Sequence, residues 1–227
     1  MLSLDSTSVF SNLNQDIVTE RIVTTHEQNW YTLYGKRIFD FVVSLFVCAF
    51  VLSWMIPLLS LCIRFSSPGP GLFIQVRTGR KGRVFYCLKF RTMYFEKNSA
   101  FSQAKQGDPR VTKLGLFLRR TNLDEMPQFL NVLLGDMSLV GPRPHAIQHD
   151  GQYWNLIETY PHRYSIRPGI TGLAQVRGAR GETTDIIRMR HRVKYDLHYI
   201  KRQSLLIDIK LCWLTVKPMI KGKVNAW

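Results

Sequence analysis

The longest apolar run in the chain, Phe41 to Ile63, contains no charged residue. At the helical rise of about 1.5 Å per residue it just crosses a bilayer core. It also lacks the polar face of a helix lying on a soluble core, although burial inside such a core is the alternative. Pro57 removes the N–H that would bond to the Ser53 carbonyl, so the pattern predicts a break near Pro57. Trp30, Tyr31 and Tyr34 precede the run, followed by Lys36 and Arg37. Aromatics beside cations suit a membrane interface, and a small aromatic core cluster gives the same pattern. Arg64 follows the run, so cations flank both ends and charge does not set its orientation. The chain divides into a polar arm over 1–34, a membrane helix over 35–65 and one further domain over 66–227.

The turn residues Ser66 to Gly71 close the membrane element, and a two-residue period then begins. Leu72 to Val76 and Val84 to Phe90 predict two strands joined through Gly79 to Gly82. Lys89 and Arg91 alternate with Leu88 and Phe90, which gives one cationic and one apolar face; a merely solvated strand face has the same alternation. Thr112 to Arg120 predicts a short helix. Pro127 is best accepted in a first turn, so the next helix starts near Asp124 to Met126 and stops at Gly135. Tyr153 to Tyr160 reads as a helix, Ala174 to Val176 as a short strand and Ile186 to Tyr199 as a basic helix. Leu205 to Met219 is an apolar helix suited to a membrane interface or to the core. The expected class is α+β: mostly helical, with a small β-hairpin and interfacial amphipathic helices.

At 227 residues the chain has room for one domain with a real core. Its net charge of +15 points to anionic partners: nucleic acid, acidic headgroups or phosphorylated substrates. The four cysteines form no C-x-x-C pair, which argues against a disulfide framework or a zinc site and for a reducing compartment. The N-terminus lacks the pattern of a secretory signal. His145 and His149 stand four apart without H-E-x-x-H or an evident third ligand, so zinc is not expected there.

Candidate chemistry gathers between Thr121 and Pro144. Asp124 and Glu125 stand at the start of a short helix, whose positive end favours carboxylates and phosphates alike. Asn122 and Glu125 also have capping-box spacing. Arg143 lies between Pro142 and Pro144, so a stiff loop presents a guanidinium suited to two-point capture of phosphate. Arg177 to Thr183 carries two arginines on glycine hinges, an arrangement able to wrap a pyrophosphate. Asp196 falls near a helix C-terminus, where an acid needs another partner; a salt bridge to Arg192 or Lys201 is the plain reading.

LDEMPQFLNVLLGDMSLVGPRP closely resembles the signature of the bacterial sugar transferases, the monotopic phosphoglycosyl transferases. Further blocks match in order: KRIFDF, SPGPGLFIQVRTGRKGRVFYCLKFRTM, DPRVTKLGLFLRRTNLDE, RPGITGLAQVRGARGET and YDLHYIKRQSLLIDIKL. The resemblance implies transfer of a sugar-1-phosphate from a nucleoside diphosphate sugar to polyprenyl phosphate, at the cytoplasmic face of a bacterial inner membrane. It implies Asp124 as nucleophile, with Glu125 orienting the site, handling protons or helping to bind Mg²⁺ alongside Asp124. It raises Lys89 and Asp196 to candidate active-site residues and, with Arg143, gives Arg180 a phosphate role. That last role is shifted, because Ala179 stands directly after the Q-V-x-G unit where other members place the arginine. It also implies a re-entrant helix broken at a Ser-Pro pair, whereas here Ile56 precedes Pro57 and a single span stays open. Membrane lipid and both substrates are the expected partners, and nucleic acid is not. The competing class is a membrane-tethered basic module that binds nucleic acid or acidic lipid without catalysis.

Overall fold

The computed structural model describes residues 29–96, 104–105, 107–179 and 185–220. The apolar run lies within a single helix, α1 (Tyr31–Ser66). Its polarity is the reverse of that of a soluble surface helix. Lys36, Asp40 and Ser44, spaced four apart, face inward and are buried, while Phe46, Phe50, Trp54 and Phe65 are exposed, Phe65 to 83%. So large an outward apolar face needs a cover other than water.

The helix runs through Pro57 without interruption. An irregularity lies one turn earlier, in a wide π-type turn at Cys48–Leu52, after which the Ser53 N–H reaches back to the Cys48 carbonyl; a second such turn opens the helix at Tyr31–Gly35. The widening gives the backbone room before the ring of Pro57 meets the Ser53 carbonyl. The Ser53 hydroxyl donates to the Ala49 carbonyl at 2.7 Å.

Strands β1 (Leu72–Thr78) and β2 (Val84–Phe90) form the expected antiparallel hairpin, with Leu72 opposite Phe90 and Thr78 opposite Val84. Helix α2 (Lys113–Arg120) is capped by Thr112, whose hydroxyl accepts the Gly115 N–H at 2.9 Å. Gly115 is required by close approach, since a Cβ there would lie 1.9 Å from the Thr92 carbonyl oxygen. Helix α3 (Gln128–Leu134) follows a 3₁₀ turn at Leu123–Glu125 and ends, as expected, at Gly135 with φ +98°. On α3, Asn131 takes the place of a third strand: its Oδ1 accepts from Leu88 N at 3.0 Å and its Nδ2 donates to Tyr86 O at 2.8 Å. This pairing docks α3 on the hairpin edge.

Strand β3 (Ser138–Val140) pairs in parallel with β4 (Gly169–Thr171). Their neighbouring glycines let the chains touch: a Cβ on Gly169 would lie 2.1 Å from the Gly141 nitrogen. Helices α4 (Ile147–Tyr153), α5 (Leu173–Val176), α6 (Ile186–Lys201) and α7 (Leu205–Ile220) complete the described elements. The α+β class holds.

Two further local expectations fail. Tyr153 to Tyr160 is not a helix: α4 ends at Tyr153, turns follow, and a 3₁₀ segment covers Tyr160–Ser165. The periodic residues there do form a core cluster, with Tyr153, Trp154, Ile157, Tyr160 and Tyr164 buried together, but packing rather than helix geometry aligns them. Ala174 to Val176 belongs to a one-turn helix instead of a strand, because β4 has already ended at Thr171.

Both ends of α1 are fastened to this body. Arg37 donates to the Val132 and Leu133 carbonyls at 2.7 and 3.0 Å, at the negative end of α3. At the other end Arg91 donates to the Ser67 and Pro68 carbonyls at 2.6 and 2.5 Å. Lys36 pairs with the fully buried Asp208 of α7 at 2.8 Å, and the Tyr31 and Tyr199 hydroxyls donate to the same carboxylate at 2.5 and 2.6 Å.

Candidate active site

The 3₁₀ turn at Leu123–Glu125 is introduced by Asn122 in the left-handed region, φ +54°. The Asn122 side chain makes no capping bond, so the capping-box reading of this stretch does not hold. Glu125 is used instead to collect cations. Lys89, projecting from β2, reaches its Oε1 at 2.7 Å. Arg143 forks onto the carboxylate, with Nη1 to Oε2 at 3.0 Å and Nη2 to Oε1.

Asp124 beside it enters no ion pair among the described residues. Burial and the adjacent Glu125 charge push its carboxyl up to about 6, while Lys89, Arg119 and Arg143 oppose the rise. Burial also pushes Glu125 upward, but Arg143 and Lys89 together outweigh it and hold that carboxyl well below the ordinary glutamate range. The Glu125 charge in turn holds the Arg143 proton more firmly than usual, against the opposing effect of burial. The two acids are therefore unlike. Glu125 is a fixed anion locked between two cations, and Asp124 is a half-buried carboxylate of raised basicity.

Lys89, Asp124, Glu125 and Arg143 thus come together. Asp196 stands apart from them: it is buried in α6 and accepts from Arg163 Nε at 2.8 Å. Its partner is neither Arg192 nor Lys201, the two considered from sequence. Arg180 lies outside the described residues.

Two arginines without an assigned role in the sequence lie near this site. Arg119, at the end of α2, donates through Nε to the Thr92 hydroxyl at 2.9 Å and contributes to the field on Asp124. Its place at a helix C-terminus offered a sufficient local explanation. Arg77, in β1, donates to the Pro144 carbonyl at 2.8 Å, and its partner lies 67 residues away. His145 sits between guanidinium groups, with Arg163 Nη1 3.0 Å from Nδ1 and Arg192 Nη1 3.3 Å from Nε2, a setting hostile to a metal cation. Among the described residues no group of three or more His, Cys, Asp or Glu side chains is placed to hold a metal ion.

A family model described as bacterial sugar transferase matches residues 31–222. The chain is 49% identical over 191 residues to a UDP-glucose:undecaprenyl-phosphate glucose-1-phosphate transferase of Escherichia coli, covering 84% of this chain and 40% of that protein. It is 47% identical over 193 residues to a protein of the same name from Caulobacter vibrioides, covering 85% of this chain and 72% of the relative. It is 43% identical over 194 residues to the exopolysaccharide production protein PSS of Rhizobium leguminosarum bv. phaseoli, covering 83% and 96%. The chain spans about two-fifths of the length of the E. coli relative and of a similar one from Xanthomonas campestris. With the match extending from the base of α1 to beyond α7, the chain belongs to the bacterial sugar transferase family.

Proposed function

We propose that the protein transfers a sugar-1-phosphate from a UDP-sugar to polyprenyl phosphate in a bacterial inner membrane, as the initiating step of polysaccharide assembly. The observation that carries this reading is the pairing of a basic, unpaired Asp124 with a Glu125 already neutralised by Lys89 and Arg143. Such a site offers one nucleophile in a field of cations, which is what attack on a diphosphate requires.

The Asp124 carboxylate attacks the phosphorus that carries the sugar. The bond from that phosphorus to the bridging oxygen breaks, and UMP leaves with the electron pair. An oxygen of polyprenyl phosphate then attacks the same phosphorus, which frees Asp124 and yields the diphosphate-linked sugar. Arg143, Lys89 and Arg119 offset the negative charge of donor and acceptor. Arg180, outside the described residues, is the further phosphate-binding candidate carried over from the sequence.

Mg²⁺ suits a site with one carboxylate and several phosphate oxygens, and when bound it shields charge on the diphosphate. Asp124 would hold it together with the substrate. Glu125 meets Arg143 and Lys89 with its two oxygens, and joins the metal only if one of those cations withdraws.

The outward apolar face of α1 and the exposed Leu206, Ile209 and Trp213 of α7 are the membrane-contacting surfaces in this reading. Arg37 and Arg91 tie opposite ends of the apolar run to one folded body, which favours re-entry over a full span. UDP-glucose is the first donor to test, because relatives named for it reach 44–49% identity against 35% for one named for UDP-N-acetylgalactosamine. The test is incubation with UDP-glucose, Mg²⁺ and undecaprenyl phosphate. UMP release, abolished by Asp124→Asn together with sugar-phosphate labelling of the protein, is expected. Salt-sensitive anion binding without UMP from any UDP-sugar overturns the reading.

A further inference from the structure

The loop that carries Arg143 is unusual in what it lacks. Pro142 and Pro144 have no backbone N–H, so Arg143 carries the one main-chain donor of this tripeptide. Its carbonyls hold it: the Pro142 carbonyl accepts the Gly169 N–H at 2.9 Å. The Arg143 carbonyl accepts from Arg163 Nη2 at 2.8 Å, and the next carbonyl, of Pro144, accepts from Arg77 Nη1 at 2.8 Å. Two arginines distant in sequence thus fix two successive peptide oxygens.

We propose that Arg163 and Asp196 form a positioning pair for Arg143, in which Asp196 orients the Arg163 guanidinium and Arg163 fixes the backbone from which the Arg143 side chain reaches the acid pair. This inference rests on the transferase reading and assigns Asp196 a role through Arg163 rather than on phosphate.

The geometry is over-determined in the way a positioning element needs to be. Arg163 is 1% exposed. Its Nε meets Asp196, its Nη1 meets His145 Nδ1 and its Nη2 meets the Arg143 carbonyl, so its donors point three separate ways. Its guanidinium carbon lies 5.1 and 5.8 Å from the ring centres of Tyr160 and Tyr164. Those tyrosine hydroxyls both donate to Asp150 Oδ1, and the Thr78 hydroxyl donates to Oδ2 at 2.5 Å, which ties the assembly to the end of β1. Stability alone gives little reason for such a pair, because replacing a buried ion pair with apolar side chains is often neutral or favourable. What apolar side chains cannot supply is a donor for the Arg143 carbonyl.

The test uses the full chain with UDP-glucose, undecaprenyl phosphate and Mg²⁺, following UMP. The double variant Arg163→Met with Asp196→Leu should still fold, melting below the wild type because the Arg143 carbonyl and His145 lose a charged donor. Its kcat should fall about 10- to 100-fold, the scale of loss for misplaced groups. KM for UDP-glucose should stay within a few-fold, so that the loss falls on kcat. Wild-type kcat in this variant overturns the proposal. If the double variant does not fold, Arg163→Lys decides: it keeps the charge opposite Asp196 but lacks the fork that spans to the carbonyl. Retained stability with reduced kcat supports positioning, and unchanged kcat refutes it. Absence of UMP from the wild-type chain with every UDP-sugar sinks the transferase reading itself, and the pair's catalytic role with it.

Discussion

Arg143 grips both carboxylate oxygens of Glu125, and Lys89 shares one of them at 2.7 Å. The acid is thereby committed to holding cations in place beside Asp124, the nucleophile of the proposed mechanism. Glu125→Gln removes the charge that gathers them. We expect kcat for UMP release to drop about 100-fold, in the range seen when a fixed electrostatic group is lost. The acid limb should shift below 6, because the Glu125 charge is one of the two influences raising Asp124. A pH–rate profile of the variant checks both statements.

Arg143→Lys keeps a positive charge and loses the planar fork. It should reduce kcat by about 100-fold while leaving the melting temperature nearly unchanged. Steady-state kinetics beside a thermal melt will show it, and a variant within three-fold of the wild type would contradict the role.

Asp124 is expected to shape both the pH dependence of activity and part of that of stability. In the proposed mechanism its carboxylate form attacks, so the rate should fall as pH drops through about 6. For stability the sign is opposite. A carboxyl raised in the folded state binds its proton more tightly than in the unfolded chain, so its contribution is present below about 4 and lost as pH rises through about 6. Asp124→Asn should therefore be inactive yet more stable at pH 8, by on the order of 1 kcal/mol after allowing for partial solvent access. Melts at pH 5 and pH 8 should show the gap between variant and wild type widening with pH.

Arg91 closes the C-terminal end of α1 by donating to the Ser67 and Pro68 carbonyls. Arg91→Met leaves both without that donor. The expected loss is about 2–4 kcal/mol, since hydrogen bonds from a charged donor contribute about 1.5–3 kcal/mol each and do not add fully. Denaturation in detergent measures it.

The two anchored ends of α1 predict that Trp30 lies on the same side of the membrane as the active site. A cysteine introduced as Trp30→Cys should resist a membrane-impermeant maleimide in intact cells and react after lysis. Labelling in intact cells would establish a span.

Much of this architecture is written in local pattern. The hairpin follows from the alternation around Lys89, the end of α3 from Gly135, and α6 from its spacing, because each depends on neighbours a few positions away. The helix expected over Tyr153 to Tyr160 failed because aromatic spacing records burial without recording which backbone delivers it. At the site, Asp124 and Glu125 stood out as adjacent acids, but their inequality did not, since it depends on cations 18 and 36 residues away. Arg163 left no sign at all. It lies 20 residues from Arg143 and 33 from Asp196, in a stretch whose local character is aromatic.

Asp40 accepts the Leu139 N–H at 3.0 Å while paired with Lys36 at the foot of α1. Leu139 lies in β3, and Arg143 begins three residues after that strand ends. Inclining the helix therefore pulls on the arginine. In the proposed membrane setting, a lipid that shifts the seat of α1 acts on Arg143 through Asp40 and β3, so acyl-chain length is expected to alter kcat.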